Sequence, residues 1–116
     1  MDFETVDPLS VPEGAPLFDI REQNEWDAGH APNARHLPAS ELAGRVGELF
    51  EEADGSPLPD DAEVYIVCRS GGRTFQVAHW LTAQGIEVTG VGGGMGAWIE
   101  QGLPIVRDDG GEAQII

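Results

Sequence analysis

Short apolar runs separated by helix-like segments constrain this chain more than any other feature. Pro16-Leu17-Phe18-Asp19-Ile20, Glu63-Val64-Tyr65-Ile66-Val67 and Ile86–Val91 each have strand length. Between them lie stretches with helical spacing. Residues 22–28 are polar around Trp26 and suit one or two helical turns. Ser40 stands where it could cap a helix over Glu41–Glu52, with Leu42, Val46, Leu49 and Phe50 on one side. Arg73–Gln84 offers Val77, Ala78 and Leu81 to a core, and Gly85 sits at the expected helix stop. Met95–Gln101 suits a short last helix. Ala34–Leu37 reads as a brief strand. Strands alternating with helices imply parallel βαβ units, with helices on both faces of the sheet.

Composition limits the function classes. The chain has 116 residues and 41% hydrophobic content, enough for one packed domain over residues 1–116. Residues 1–14 read as a lead-in segment and 107–116 as a loose tail. Formal net charge is -15, from 21 acidic and 6 basic residues, and all six basic residues are Arg. That balance opposes binding to nucleic acid or an anionic membrane surface, which need a basic patch. The amino terminus has neither the basic nor the apolar region of a signal peptide, and no run reaches the roughly 18 apolar residues of a membrane span. The expectation is a cytoplasmic protein. The acidic bias fits either a salt-rich environment or a basic partner.

The single cysteine, Cys68, leaves the second apolar run and enters Arg69-Ser70-Gly71-Gly72-Arg73-Thr74. Glycines there let the backbone curl and turn several N–H groups inward. Together with the unpaired N–H groups of the following helix they make an anion cradle. Arg73 adds a guanidinium fork suited to an oxyanion. Such surroundings favour thiolate, the attacking form of sulfur. In an open α/β sheet, the carboxyl ends of the strands are where ligands sit, and Cys68 lies at such an end.

Cys68-Arg69-Ser70-Gly71-Gly72-Arg73 resembles the active loop of rhodanese-domain sulfurtransferases. Phe18-Asp19-Ile20-Arg21, Glu25-Trp26 and Gly29-His30-Ala31-Pro32-Asn33-Ala34 are similar to that family's upstream signature. Gly93-Gly94, Ala97-Trp98 and Gly102-Leu103-Pro104 are similar to its C-terminal one. The likeness spans about residues 15–105. One departure is Asn33, where the family often has Gly; Asn tolerates left-handed backbone angles. The resemblance implies an α/β rhodanese-like fold with a central parallel sheet of about four to five strands. It implies a sulfurtransferase carrying sulfane sulfur as a persulfide on Cys68, from thiosulfate or a persulfide donor to a thiol, cyanide or protein acceptor. A sulfur-carrier module serving a dedicated protein partner is the competing reading. Phosphatases and arsenate reductases of related fold place five residues between Cys and Arg; four intervene here, which suits a single sulfur atom.

The supporting residues are Asp19, Arg21, Glu25 and His30. Arg21 is expected to pair with Glu25 and hold the start of residues 29–34; His30 should order that loop by hydrogen bonds. Arg69 is expected to face solvent near the mouth and recruit anionic donors. His30, His36 and His79 match no zinc spacing, and neither metal nor organic cofactor is implied. Core packing or partial exposure is expected for Trp26, Trp80 and Trp98. Gly92–Gly94 lacks the Lys and spacing of a phosphate loop and reads as a tight turn beside the active loop.

Overall fold

The computed structural model describes residues 3–116; the first two residues of the expected lead-in lie outside them. Five strands form one sheet: β1 Thr5–Val6, β2 Leu17–Asp19, β3 Arg35–His36, β4 Tyr65–Val67 and β5 Thr89–Val91. Every neighbouring pair is parallel, in the order β1-β5-β4-β2-β3. The register sets Phe18 beside Ile66 and Asp19 beside Val67, and Ile66 beside Gly90. Four helices complete the α/β fold: α1 Gln23–Ala28, α2 Ala39–Leu42, α3 Gly72–Ala83 and α4 Gly94–Glu100.

The three inner strands are buried along their whole length. Side chains alternate between faces along a strand, and the two cores follow that alternation. Phe18, Ile66 and Cys68 join Leu42, Leu49, Ala78 and Leu81 on one face. Leu17, Tyr65 and Val67 join Ala31, Met95 and Trp98 on the other. Thus α3 covers the face that holds the thiol, and α4 covers the opposite one.

Three expectations need correction. The lead-in contains β1, which pairs with β5 and adds an edge to the sheet. The helix expected over Glu41–Glu52 divides into α2 and a 3-10 segment, Val46–Phe50. Gly44 and Gly47 interrupt the stretch, each less favourable in a helix than Ala by about 1 kcal/mol. Leu42 and Leu49 are still buried, so the apolar spacing served the core without a continuous helix. Ser40 caps nothing; its hydroxyl donates to Glu22 Oε1 at 2.7 Å. Among the described residues no residue other than glycine has positive φ, so Asn33 does not use its left-handed tolerance.

The tail is tied at several points, not loose. Gln114 N–H donates to Ala28 O at 2.8 Å, and His30 and Val106 exchange main-chain hydrogen bonds. Ile115 packs against the α4-side core. Gly29 permits this approach, since a Cβ there would stand 2.6 Å from Gln114 O. Among the described residues no helix is long and apolar enough to cross a membrane.

Candidate active site

Strand β4 delivers Cys68 to the carboxyl edge of the sheet, where Ile20 N–H fixes the preceding carbonyl of Val67 at 2.9 Å. The thiol is 1% exposed. Its sulfur accepts hydrogen bonds from Gly71 N–H at 3.0 Å and Thr74 N–H at 3.4 Å. Gly71 precedes α3 with φ of 121°, a backbone angle that favours glycine. The chain there turns back so that two main-chain donors, one of them in α3's first turn, converge on one sulfur atom. Ser70 is exposed at the crest of this loop.

A second set of contacts holds the loop from behind. Met95 N–H donates to Cys68 O at 2.8 Å and Gly96 N–H to Arg69 O at 2.9 Å. Gly94, at φ 62°, lets α4 come this close. A Cβ there would collide with Cys68 O and stand 2.6 Å from the Arg69 carbonyl. The expected turn at Gly92–Gly94 is thus a clamp on the thiol loop. Gly94, Met95 and Gly96 were not singled out as site residues. The signals in the sequence were the glycine run following a strand and the place of Gly93-Gly94 in the C-terminal signature. Gly90 plays a similar part beneath the loop, because a Cβ there would meet Phe3 at 2.7 Å and the Thr74 methyl at 3.0 Å.

The charged residues pair differently from expectation. Arg21 does not pair with Glu25. It binds Asp19, with Nη2 to Oδ2 at 2.8 Å and Nε to Oδ1 at 3.0 Å, and donates to Gly29 O at 2.6 Å. Both side chains of this pair are fully buried. The reason is periodicity: residues two apart in extended chain share a side, whereas Glu25 rides on α1 and faces the thiol loop. Arg73 then takes Glu25 as its partner, with Nη1–Oε1 at 2.5 Å and Nη2–Oε2 at 2.8 Å. The Arg73 hydrogen bond holds the Glu25 carboxyl below its ordinary pKa, against the opposing effect of burial. The guanidinium expected to add its charge to the cradle is therefore matched by a carboxylate.

Arg69 is exposed as expected, and its Nε donates to the Ile116 main-chain oxygen at 3.0 Å. His30 orders its surroundings by hydrogen bonds: Nδ1 lies 2.9 Å from Ala31 O and Nε2 lies 2.7 Å from Asp108 Oδ1. Its ring stacks on Trp26 at 3.5 Å, and His36 also stacks on that indole at 4.8 Å. Trp98 is buried with its N–H donated to Pro104 O, and Trp80 is partly exposed. His79 is exposed on α3. Among the described residues no three His, Cys, Asp or Glu side chains are grouped to hold a metal. A groove of about 630 Å³, lined by Leu49, Phe50, Leu58 and Ile86 among others, opens at the amino ends of the strands and contains none of the candidate residues.

A parallel α/β sheet that ends in a glycine-bent thiol loop under a helix N-terminus defines the class, and comparison with known proteins agrees. The rhodanese-like domain model matches residues 6–101, and the chain belongs to that family. A sulfurtransferase of Allochromatium vinosum is 37% identical over 103 residues, covering 88% of each chain. A Bacillus subtilis relative whose name includes the words sulfur carrier protein is 34% identical over 83 residues, 71% of this chain and 40% of the relative. The crystal structure of a rhodanese-related protein from Thermoplasma volcanium superposes with a TM-score of 0.73 at 25% identity, covering 90% of this chain and 98% of that one.

Proposed function

We propose that this protein is a sulfurtransferase that works through a persulfide on Cys68. The observation that carries the reading is the pair of main-chain N–H groups aimed at the Cys68 sulfur at the start of α3. Hydrogen bonds from N–H to an anionic sulfur are of the charge-assisted, stronger kind. The names of the A. vinosum and B. subtilis relatives support the same chemistry.

In the first step the Cys68 thiolate attacks the sulfane sulfur of thiosulfate or of a persulfide donor. The donor's sulfur–sulfur bond breaks, its electron pair leaves with sulfite or thiolate, and Cys68 keeps the transferred atom as Cys–S–S⁻. In the second step a thiol, cyanide or a protein acceptor attacks that outer atom, and the Cys68 thiolate departs. Both steps are displacements at sulfur, so Cys68 is the only group carrier they call for. We also assign to Arg69, exposed beside the loop, a part in recruiting anionic donors. Asp19, Arg21 and His30 act by holding the surrounding chain.

The second reading, a sulfur-carrier module in the cytoplasm serving a dedicated protein acceptor, is favoured by the B. subtilis relative's name. Turnover separates the two, because an independent enzyme cycles with thiosulfate and cyanide whereas a carrier module loads but scarcely turns over. The test of the shared chemistry is intact mass spectrometry after treatment with thiosulfate or glutathione persulfide. The chain should gain the mass of one sulfur atom, and Cys68→Ala should gain none. A wild-type chain of unchanged mass would refute the proposal.

A further inference from the structure

The carboxylate of Glu25 has consequences for which donor the loop accepts. Arg73 lies in the first turn of α3, beside the thiol loop. Its guanidinium is held by both Glu25 oxygens. The Glu25 side chain is only 15% exposed and that of Arg73 35%, so solvent screens this pair less than an open surface pair. The next nearest pair, Arg21 with Asp19, is likewise neutral overall. The Cys68 sulfur itself accepts hydrogen bonds from two main-chain N–H groups. Arg69, exposed, donates its Nε–H to the Ile116 main-chain oxygen.

Donors differ in how much charge they bring into that setting. Thiosulfate is a dianion. Its reaction, Cys–S⁻ plus ⁻S–SO₃⁻ giving Cys–S–S⁻ plus SO₃²⁻, keeps three negative charges together while one sulfur–sulfur bond forms and the other breaks. A thiol persulfide reacts as Cys–S⁻ plus ⁻S–S–R, giving Cys–S–S⁻ plus R–S⁻, which takes a proton from water on leaving. That reaction assembles two negative charges, or one if the persulfide enters protonated. Repulsion between charges a few ångströms apart is strong where water is partly excluded. A cradle in which Arg73 is already matched by Glu25 discriminates against the more charged donor.

We infer that Glu25 is a specificity-determining residue: by engaging Nη1 and Nη2 of Arg73 it matches the charge that α3 brings beside Cys68, and so selects a thiol persulfide over the more highly charged thiosulfate. The inference rests on the sulfur-transfer reading above.

The test compares loading of Cys68 from two probes, thiosulfate and glutathione persulfide, with second-order rates read by rapid quench and intact mass. The wild-type protein should load faster from glutathione persulfide. Glu25→Gln keeps the shape but releases the Arg73 charge, and should shift the ratio of rates toward thiosulfate by about tenfold or more, the scale of one lightly screened charge near the reacting atoms. Added salt should erode that gain. Glu25→Asp, which keeps the carboxylate, should hold the ratio close to wild type and shows whether lost charge or lost packing is at work. An unchanged ratio in Glu25→Gln, with both rates falling together, would overturn the inference. So would a wild-type protein that prefers thiosulfate. Failure of the wild-type protein to load from either probe would strike the sulfurtransferase reading instead, a separate result visible before any variant is made.

Discussion

Asp19 and Arg21 form an ion pair with no solvent exposure, positioned at the end of β2 where the chain turns toward α1. The guanidinium also reaches Gly29 O at 2.6 Å and so joins two segments that meet beside the site. An ion pair of this kind adds little net stability over an apolar substitute, but removing one member strands the other charge in low dielectric. Asp19→Asn, which preserves volume, should therefore destabilise the fold by about 3–5 kcal/mol in chemical denaturation. A change below about 1 kcal/mol would mean that Arg21 is better hydrated than its burial indicates. The type of residue at each of these positions was readable in the sequence, but the partner was not. Arg73 meets Glu25 across 48 positions, His30 meets Asp108 across 78 and Arg69 meets Ile116 across 47. Pairings at that range are decided by how elements dock, and local spacing carries no record of it.

At the scale of elements, two helices of opposite sheet faces meet at the thiol. α3 supplies the Thr74 N–H to the sulfur, and α4 supplies N–H groups to the carbonyls of Cys68 and Arg69. The first contribution was legible, because a cysteine followed by glycines at a strand-to-helix junction has a local physical meaning. The second was legible only as a turn, since the value of Gly94 lies in what its missing Cβ would strike. Gly94→Ala should push α4 off the loop and lower sulfur loading by roughly 100-fold, the cost of misplacing a reacting group by about 1 Å. Gly96→Ala should cost far less, because its methyl would meet Arg69 O at an ordinary 3.5 Å. Loading rates for the two variants, measured side by side, check the clamp; equal rates would remove its role. The divided helix at 39–50 makes the same point from the other side. Burial of Leu42 and Leu49 could be read from spacing, whereas the break between them came from the weak helix propensity of Gly44 and Gly47.

Over the whole molecule, charge is the dominant feature. Four of the six arginines, Arg21, Arg45, Arg73 and Arg107, are in ion pairs with carboxylates. Arg35 donates to the main-chain oxygens of Glu48 and Glu51 and lies over the Phe18 ring at 4.3 Å. The net charge of -15 is spread over a body with a radius of gyration of 13.2 Å. At physiological salt, fields fade over about 8 Å, so distant carboxylates slow the approach of an anion without governing events at the sulfur. Raising ionic strength from very low values should therefore speed loading of Cys68 from thiosulfate, in a rate-versus-salt series. A steep monotonic fall would show that attraction by local cations governs the approach. The overall layering of sheet and helices was the most legible feature of all, because alternating short apolar runs and helical segments leave few packings available.

The depth of Cys68 has one more consequence. With 1% of the residue exposed, the Cys68 sulfur has to be reached along a restricted path. Displacement at sulfur requires the incoming, central and departing atoms to lie nearly on a line, and a recessed thiol admits a sulfur chain only when it arrives tip first along that axis. Restricted access of this kind favours alignment before any bond begins to form.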